Sequence, residues 1–280
     1  MRYMEVSCGL QYFDQQIIDI LIAELSEMGF ESFQETEKGL NAYIADVNLN
    51  EEKLNLLPPQ IIDNRIKYSF QRIEKKNWNE LWEKEYDPVI VDNQCVIRAP
   101  FHNDLPKLKY EIVIEPKMSF GTGHHETTFL MVKMMLSYNI QQKHVLDIGC
   151  GTGILAILAS KIGALSIFAA DIDTWAYENT VENIEKNKCK NIETFRGGMD
   201  VLPDKKFDVI LANINRNILL DDMSKYADAL QPEGDILFSG IYKNDMEQIM
   251  LAGKSNDLIF MNFIEKNNWV ALQFTKKGGQ

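Results

Sequence analysis

One stretch of the sequence decides the fold class: residues 145–155 read VLDIGCGTGIL. The apolar residues before the first glycine predict a short buried strand, and the residues after the last glycine begin a helix. The glycines between them let the backbone turn tightly and approach a ligand closely. A strand that enters a glycine-rich turn and continues into a helix is typical of a doubly wound α/β sheet that binds a nucleotide.

The spacing of the glycines indicates which cofactor this turn holds. Counted from Gly149, a dinucleotide fingerprint has its third glycine at position 154, which is occupied here by Ile154. Gly149 and Gly151, with a third glycine two residues later and Asp147 two residues before, have instead the spacing typical of S-adenosylmethionine sites. We therefore predict that Gly149 and Gly151 bind this cofactor.

Asp171 supports the same prediction from the next strand. It ends a predicted strand and follows Gly149 by 22 residues. An acidic side chain at the tip of the second strand can accept hydrogen bonds from both ribose hydroxyls of a nucleoside cofactor. The alternative role for Asp171 is the N-cap of the following helix, which Asp173 or Thr174 can fill instead.

Short apolar strands and helices alternate from about residue 140 onwards. We predict strands at 144–148, 167–170, 207–212 and 234–238, and helices at 154–162, 175–186, 216–230 and 243–251. This alternation indicates a doubly wound, mostly parallel sheet with helices on both faces. Two further strands, 258–264 and 270–274, have no helix between them, so we expect them to pair antiparallel at one edge.

The segment 120–128, FGTGHHETT, precedes a predicted helix. It lacks the lysine that a phosphate-binding loop requires. We predict a lid over the cofactor, whose small residues pass close to the ligand and whose Thr127 or Thr128 supplies a hydroxyl. The alternative is a flexible glycine loop with a capping threonine.

Asn213 follows the predicted strand 207–212, within the segment LANINR at 211–216. Ligands of doubly wound sheets bind at the carboxyl ends of the strands. An asparagine there can accept a hydrogen bond from an amine and orient the lone pair of its nitrogen, so we predict that Asn213 is catalytic. The alternative is an asparagine in an ordinary turn.

The first seventy residues predict a small α+β unit. The expected elements are a strand at 3–8, a helix from Asp14 to about Met28, strands at 30–35 and 40–47, a helix at 51–57 and a strand at 66–73. This order is that of a ferredoxin-like domain. Trp78, Leu81 and Trp82 then recur at helical spacing, which indicates a connecting helix that docks a partner, acts as a hinge or simply packs on a neighbouring domain. We predict a front domain at 1–74, a linker helix at 75–91 and a cofactor-binding domain at 92–280.

Composition excludes several classes of protein. No apolar run reaches the roughly 18 residues of a transmembrane helix, and the N-terminus lacks an apolar signal-peptide stretch, so we expect a cytoplasmic protein. The four cysteines form no CxxC pair, and the histidines lack metal-ligand spacing, so we expect reduced thiols and no metal. A net charge of −12 argues against coating of nucleic acid. Residues 1–70 contain 12 acidic and 5 basic residues, which favours a basic partner.

Two segments carry a resemblance to a known family. Residues 119–128, SFGTGHHETT, are similar to the F-G-T-G-T-H-P-T-T of the ribosomal protein L-eleven methyltransferases of the PrmA type, and Ala212-Asn213-Ile214 is similar to their A-N-I-L. The resemblance implies a ferredoxin-like recognition domain and a seven-stranded, Rossmann-like class I methyltransferase domain. It also implies methylation of lysine side chains and the N-terminal amine of a basic large-subunit ribosomal protein. By the same resemblance, Thr128, Gly149, Asp171 and Asn213 contact S-adenosylmethionine.

Two alternative functions remain open from the sequence. The first is a methyltransferase that acts on RNA or a small molecule, which the acidic front domain argues against. The second is a non-catalytic scaffold that binds a nucleoside, which the glycine turn, Asp171 and Asn213 argue against. We expect a monomer that contacts neither nucleic acid nor a membrane.

Overall fold

The computed structural model describes residues 3–11, 14–45, 48–49, 66–73, 86–117 and 119–278. The chain divides into two compact units, Met1–Tyr86 and Asp87–Gln280. The division falls inside the segment 75–91 that the sequence assigns to a linker helix. The tryptophans of that predicted helix and the predicted helix at 51–57 lie outside the described residues. The boundaries and roles assigned to the three segments therefore stay predictions.

The first unit contains an antiparallel sheet and one described helix. Its elements are β1 (Tyr3–Gly9), α1 (Gln15–Glu27), β2 (Ser32–Thr36), β3 (Gly39–Ala45) and β4 (Lys67–Ile73). The strand order is β2-β3-β1-β4, with every neighbouring pair antiparallel, as in a ferredoxin-like domain.

The helix of the first unit begins and ends as its sequence predicts. Asp14 is the N-cap, and its side chain accepts a hydrogen bond of 2.9 Å from the backbone N–H of Gln16. Gly29 follows the helix with a φ of 95°, a left-handed conformation that glycine adopts without a steric cost. Ile18, Leu21 and Leu25 form the buried face of the helix.

The second unit contains a small sheet, a large sheet and the helices that cover the large one. Its elements are β5 (Val89–Val91), β6 (Cys95–Arg98), β7 (Tyr110–Val113), α2 (Glu126–Ser137), β8 (His144–Ile148), α3 (Ile154–Ile162), β9 (Ser166–Asp171), α4 (Thr174–Lys186), β10 (Ile192–Arg196), β11 (Phe207–Asn213), α5 (Arg216–Asp221), α6 (Met223–Ala229), β12 (Leu230–Tyr242), α7 (Met246–Ser255), β13 (Leu258–Lys266) and β14 (Trp269–Lys276).

The large sheet is seven-stranded and doubly wound, as predicted. Its order is β10-β9-β8-β11-β12-β14-β13. The first five strands are parallel, and β14 runs antiparallel to both of its neighbours. The predicted antiparallel pair is therefore confirmed. β13 is the outer strand of this edge, and it exposes the apolar side chains of Ile259, Met261 and Phe263.

Consecutive strand residues contribute to two separate cores, one on each face of the sheet. Val145 and Ala169 pack with helices α2 and α3, whereas Leu146 and Ala170 pack with residues of α5, α6 and α7. Helices on both faces explain why the strand sequences are apolar without alternation. None of the helices within the described residues has the length and apolarity to cross a bilayer. Those residues also contain no group of three or more His, Cys, Asp or Glu that could hold a metal ion.

The structure also differs from the sequence-based prediction. β10 was not predicted, because Ile192–Arg196 mixes charged and apolar residues and lies at the sheet edge. The helix predicted over 216–230 is two helices that meet at Asp222, and Leu230 begins β12 instead of ending a helix. The sheet β5-β6-β7 was also missed, because its three strands contain only three or four residues each.

Candidate active site

The glycine turn after β8 is shaped by contacts with other parts of the protein. Gly149 and Gly151 have φ values of 69° and 57°. A Cβ at Gly149 would lie 2.3 Å from Cγ2 of Ile214, and one at Gly151 would lie 2.3 Å from the carbonyl oxygen of Phe120. Both positions therefore require glycine for their backbone conformation and for their close neighbours. The sequence analysis attributes these glycines to the close approach of a ligand. In the structure, the atoms that approach them closely belong to the protein.

Asp171 lies beside this turn, at the end of β9. Its Oδ2 accepts a hydrogen bond of 2.9 Å from the backbone N–H of Gly151, and its Oδ1 accepts one of 2.9 Å from that of Asp173. A carboxylate has about four lone-pair sites, so these two bonds orient it and leave further acceptor capacity. The helix N-cap is Asp173, which accepts from the backbone N–H of Ala176, so Asp171 does not fill that role.

Asp147 lies beneath the turn and is buried. Its Oδ2 accepts a hydrogen bond of 3.0 Å from the backbone N–H of Ala156 in α3. Burial raises the pKa of the Asp147 carboxyl to about 7, and the negative charge of Asp171 adds to the effect. Asp147 therefore joins the turn to α3, and it changes its charge in the neutral pH range.

The residues Ser119–His125, which we call the lid loop, lie against the glycine turn. Thr152 holds them there, because its backbone N–H donates to the carbonyl oxygen of Phe120 at 3.0 Å and its hydroxyl to that of Gly121 at 2.6 Å. The next helix, α2, is capped by His125, whose ring nitrogen Nδ1 accepts from the backbone N–H of Thr127. The alternative of a capping threonine is therefore wrong.

Asn213 ends β11 and borders the same region. Its Nδ2 donates a long hydrogen bond of 3.4 Å to the hydroxyl oxygen of Thr128. Its Oδ1 is buried and accepts no hydrogen bond from any residue that the structure describes. A buried acceptor without a donor costs free energy, so this oxygen is a natural position for a donor that a ligand brings.

A cavity of about 880 Å³ connects these groups at the carboxyl ends of the parallel strands. This volume is within the range of small-molecule sites, about 300–1,000 Å³. Gly149, Gly151, Asp171 and Asn213 all line it, at the ends of the neighbouring strands β8, β9 and β11. Thr128 is fully buried and does not line the cavity, so it reaches this site through Asn213.

Several lining residues were not predicted from the sequence. Ile172 and Trp175 are 74% and 75% exposed, and they line the cavity next to Asp171. Their position directly after the acidic residue was the available signal, but exposure of large apolar side chains cannot be read from a sequence. Gly197, Gly198 and Met199 also line the cavity. They follow β10, the strand that the sequence pattern did not reveal.

Comparison with known proteins gives consistent similarities. The model of the family described as ribosomal protein L11 methyltransferase (PrmA) matches residues 7–277. A ribosomal protein L11 methyltransferase of Bacteroides thetaiotaomicron is 43% identical, over 98% of this chain and 100% of the relative. One of Porphyromonas gingivalis is 44% identical, over 92% of this chain and 90% of the relative.

Solved structures show the same likeness. A ribosomal protein L11 methylase from Lactobacillus delbrueckii subsp. bulgaricus has a TM-score of 0.64 at 29% identity, and the match covers 69% of this chain and 100% of that one. A methyltransferase from Pyrococcus furiosus has a TM-score of 0.51 at 19% identity, over 59% of this chain and 89% of that one, and so shares the fold.

Proposed function

The chain belongs to the ribosomal protein L11 methyltransferase (PrmA) family, and from that premise we propose that it methylates amines of this ribosomal protein, namely lysine side chains and the N-terminal amine. The chain is an S-adenosylmethionine-dependent methyltransferase. We propose an amine as the methyl acceptor because the buried Oδ1 of Asn213 accepts no hydrogen bond from any described residue. An amine nitrogen that bears hydrogen is the donor that this oxygen lacks.

The groups around the cavity fit the cofactor. S-adenosylmethionine supplies a methyl group on a sulfonium, which leaves readily as a thioether. Asp171, oriented by Gly151, would accept hydrogen bonds from the ribose hydroxyls with its remaining lone pairs. Gly149 and Gly151 would border the amino-acid end, because they line the cavity and follow β8, the strand between those of Asp171 and Asn213. Asp171 would thus bind the ribose, and the glycine turn would lie against the part of the cofactor nearer Asn213.

Asn213 would align the acceptor. An amine attacks only when it is neutral, and a free lysine has a pKa of about 10.4, so the ammonium must lose a proton first. A partly desolvated pocket favours the neutral form. Oδ1 of Asn213 would then accept one N–H, and Thr128 would hold the amide by accepting from its Nδ2. In this proposal the protein contributes mainly by alignment of the two reactants.

The front unit would recognise the substrate. Residues 1–70 contain 12 acidic and 5 basic residues, a net charge of −7. A basic ribosomal protein is attracted by such a charge. We also propose that the enzyme acts as a cytoplasmic monomer without direct contact to nucleic acid, in keeping with its net charge of −12. Size-exclusion chromatography with light scattering tests whether the enzyme is monomeric.

The test is to incubate purified ribosomal protein L11 with the enzyme and labelled cofactor and to locate the methyl groups by mass spectrometry. We expect label on lysine side chains and on the N-terminal amine. Asn213→Ala should lower kcat about tenfold or more, since one alignment contact is lost. Asn217→Ala is the matched control, because Asn217 is an exposed asparagine nearby that does not line the cavity. Label on RNA or on carboxyl groups in place of amines would contradict the proposal.

A further inference from the structure

The segment 120–128 departs from the family motif at two positions, and both side chains bind distant parts of the chain. Where the motif F-G-T-G-T-H-P-T-T has its second threonine and its proline, this chain has His124 and Glu126. His124 contacts a residue 37 positions earlier, and Glu126 contacts a residue 141 positions later. Two neighbouring replacements that both form long-range hydrogen bonds indicate a shared role, which is to hold this segment in place.

His124 joins the lid loop to the start of the second unit. Its Nε2 lies 2.7 Å from the backbone carbonyl oxygen of Asp87, the first residue of that unit. A carbonyl oxygen only accepts, so Nε2 carries the proton and donates it. Nδ1 lies 3.2 Å from the hydroxyl oxygen of Thr122, within the loop itself. The bond from Nε2 is therefore the one that ties the loop to another element.

Glu126 is the first residue of α2 and directly follows the lid loop. Proline is favoured at this helix position, because it fixes φ and restricts the preceding residue to an extended conformation. His125 has φ −70° and ψ 140°, so its backbone adopts that conformation without a proline after it. Oε1 of Glu126 accepts a hydrogen bond of 3.0 Å from Nδ2 of Asn267, in the turn between β13 and β14. This bond supplies by a distant contact the restraint that a proline builds into the backbone.

The two anchored residues flank His125, whose ring connects them to the cavity. The centroid of the His125 ring lies 5.1 Å from that of Phe120 and 4.9 Å from that of Trp269. Phe120 lines the cavity. A displacement of His125 would therefore move Phe120 relative to the glycine turn, and with it one wall of the cavity.

We propose that His124 and Glu126 are positioning residues for methyl transfer, which fix the lid loop beside the cofactor from two sides. This inference rests on the proposed function only in placing S-adenosylmethionine in the cavity. Neither side chain lines the cavity, so both act through His125 and Phe120. A loop that is already fixed loses little conformational entropy when the cofactor binds, and it keeps the reactants aligned. A loop without one anchor must be ordered at each binding event.

The test compares variants that keep each hydrogen bond with variants that remove it. His124→Gln keeps a donor near the position of Nε2, whereas the side chain in His124→Asn is too short to reach Asp87. Glu126→Gln keeps an oxygen for Asn267, and Glu126→Pro restores the restraint within the backbone. His124→Ala and Glu126→Ala remove the bonds altogether.

Calorimetry with S-adenosylhomocysteine measures the effect on the site. We expect His124→Ala, His124→Asn and Glu126→Ala to bind it about threefold to tenfold more weakly, the effect of losing one hydrogen bond. His124→Gln, Glu126→Gln and Glu126→Pro should stay within about twofold of the wild type, because each retains its restraint. Glu178→Ala is the control, since it removes an exposed carboxylate from α4.

Kinetics and unfolding separate positioning from a structural role. We expect kcat to fall in the three weakened variants, while KM for ribosomal protein L11 and the unfolding midpoint without ligand stay nearly constant, because both bonds lie at the surface. A lower midpoint with unchanged affinity and kcat would overturn the inference, and so would equal affinities of His124→Gln and His124→Ala. Either result would leave the proposed function intact. A wild-type enzyme that labels no amine of ribosomal protein L11 would contradict the proposed function, and the calorimetry would still decide this inference.

Discussion

The backbone N–H of Gly151 donates a hydrogen bond of 2.9 Å to Oδ2 of Asp171. The turn after β8 therefore orients the acidic side chain that ends β9. Gly151 in turn lies against the lid loop, where no Cβ would fit beside the carbonyl oxygen of Phe120. Turn, carboxylate and lid loop thus form one connected unit, and a change in one of them should affect cofactor binding through the others.

Asp171→Ala should weaken binding of S-adenosylmethionine. The variant removes the proposed acceptors of the ribose hydroxyls and leaves the backbone N–H of Gly151 without its partner. We expect a loss of about 1–3 kcal/mol of binding free energy, the cost of unpaired polar groups. Calorimetry measures it, with Glu178→Ala, an exposed carboxylate on α4, as the control. Equal affinities of Asp171→Ala and the wild type would remove the ribose role of Asp171.

Gly151→Ala should disturb both the fold and the cofactor site. A left-handed φ of 57° costs a non-glycine residue roughly 1–2 kcal/mol. The new Cβ would also displace Phe120, whose carbonyl oxygen lies 2.3 Å from its position. Gly163→Ala is the control. Gly163 also has a positive φ, but the nearest atom would lie 3.7 Å from the added Cβ. We expect both variants to lower the unfolding midpoint, and only Gly151→Ala to weaken cofactor affinity.

Asp147→Asn should remove part of the pH dependence of stability. The pKa of Asp147 is about 7 in the folded chain, against an ordinary value of 3.8. A carboxyl whose pKa rises on folding contributes stability that is fully present below pH 3.8 and is lost as the pH rises through about 7. Asparagine keeps an oxygen for the N–H of Ala156 and never ionises. Urea unfolding between pH 5.5 and 8 should therefore show a smaller decline in the variant, and parallel curves would contradict this explanation.

Residues 87–280 should fold and bind S-adenosylmethionine alone but methylate protein poorly. This segment is one compact unit with its own cores. A shorter segment that begins at residue 92 would lose β5, including the buried Val91, and should be less stable. Circular dichroism and cofactor calorimetry test the folding, and methylation assays test the activity. Full activity of 87–280 on the protein substrate would refute a recognition role for the front unit.

Association with the substrate should depend on salt. The net charge of −7 in residues 1–70 attracts a basic protein, and the attraction between exposed charges is screened beyond about 8 Å at physiological ionic strength. We expect KM for ribosomal protein L11 to rise with salt while kcat stays nearly constant, because the chemistry occurs in the other unit. Cofactor affinity at each salt concentration is the control. A constant KM would leave shape complementarity as the basis of recognition.

The parts of the fold with a strong local signal were predicted well. Strand 144–148 and helix 154–162 were predicted to the residue, because an apolar run, three glycines and an apolar helix follow each other directly. β10 was not, because an edge strand with charged residues has no such pattern. The break between α5 and α6 at Asp222 was also not predicted, since no proline or glycine marks it in the sequence.

Polar residues at the ends of strands were the part of the candidate site that the sequence predicted. Asp171 and Asn213 both line the cavity that the structure shows. The predicted Thr128 is buried in α2 and contacts Asn213, and it does not line the cavity, which a sequence cannot reveal.

The outer strand β13 has a consequence for handling the protein in solution. A nine-residue edge strand with exposed Ile259, Met261 and Phe263 can pair with the same strand of another molecule. The net charge of −12 opposes such encounters by mutual repulsion at neutral pH. That protection vanishes near the isoelectric point, about 4.9, so turbidity should develop there first. A charged residue in place of Met261 would make the protein more tolerant of acidic buffers, since it interrupts the apolar edge without touching either core.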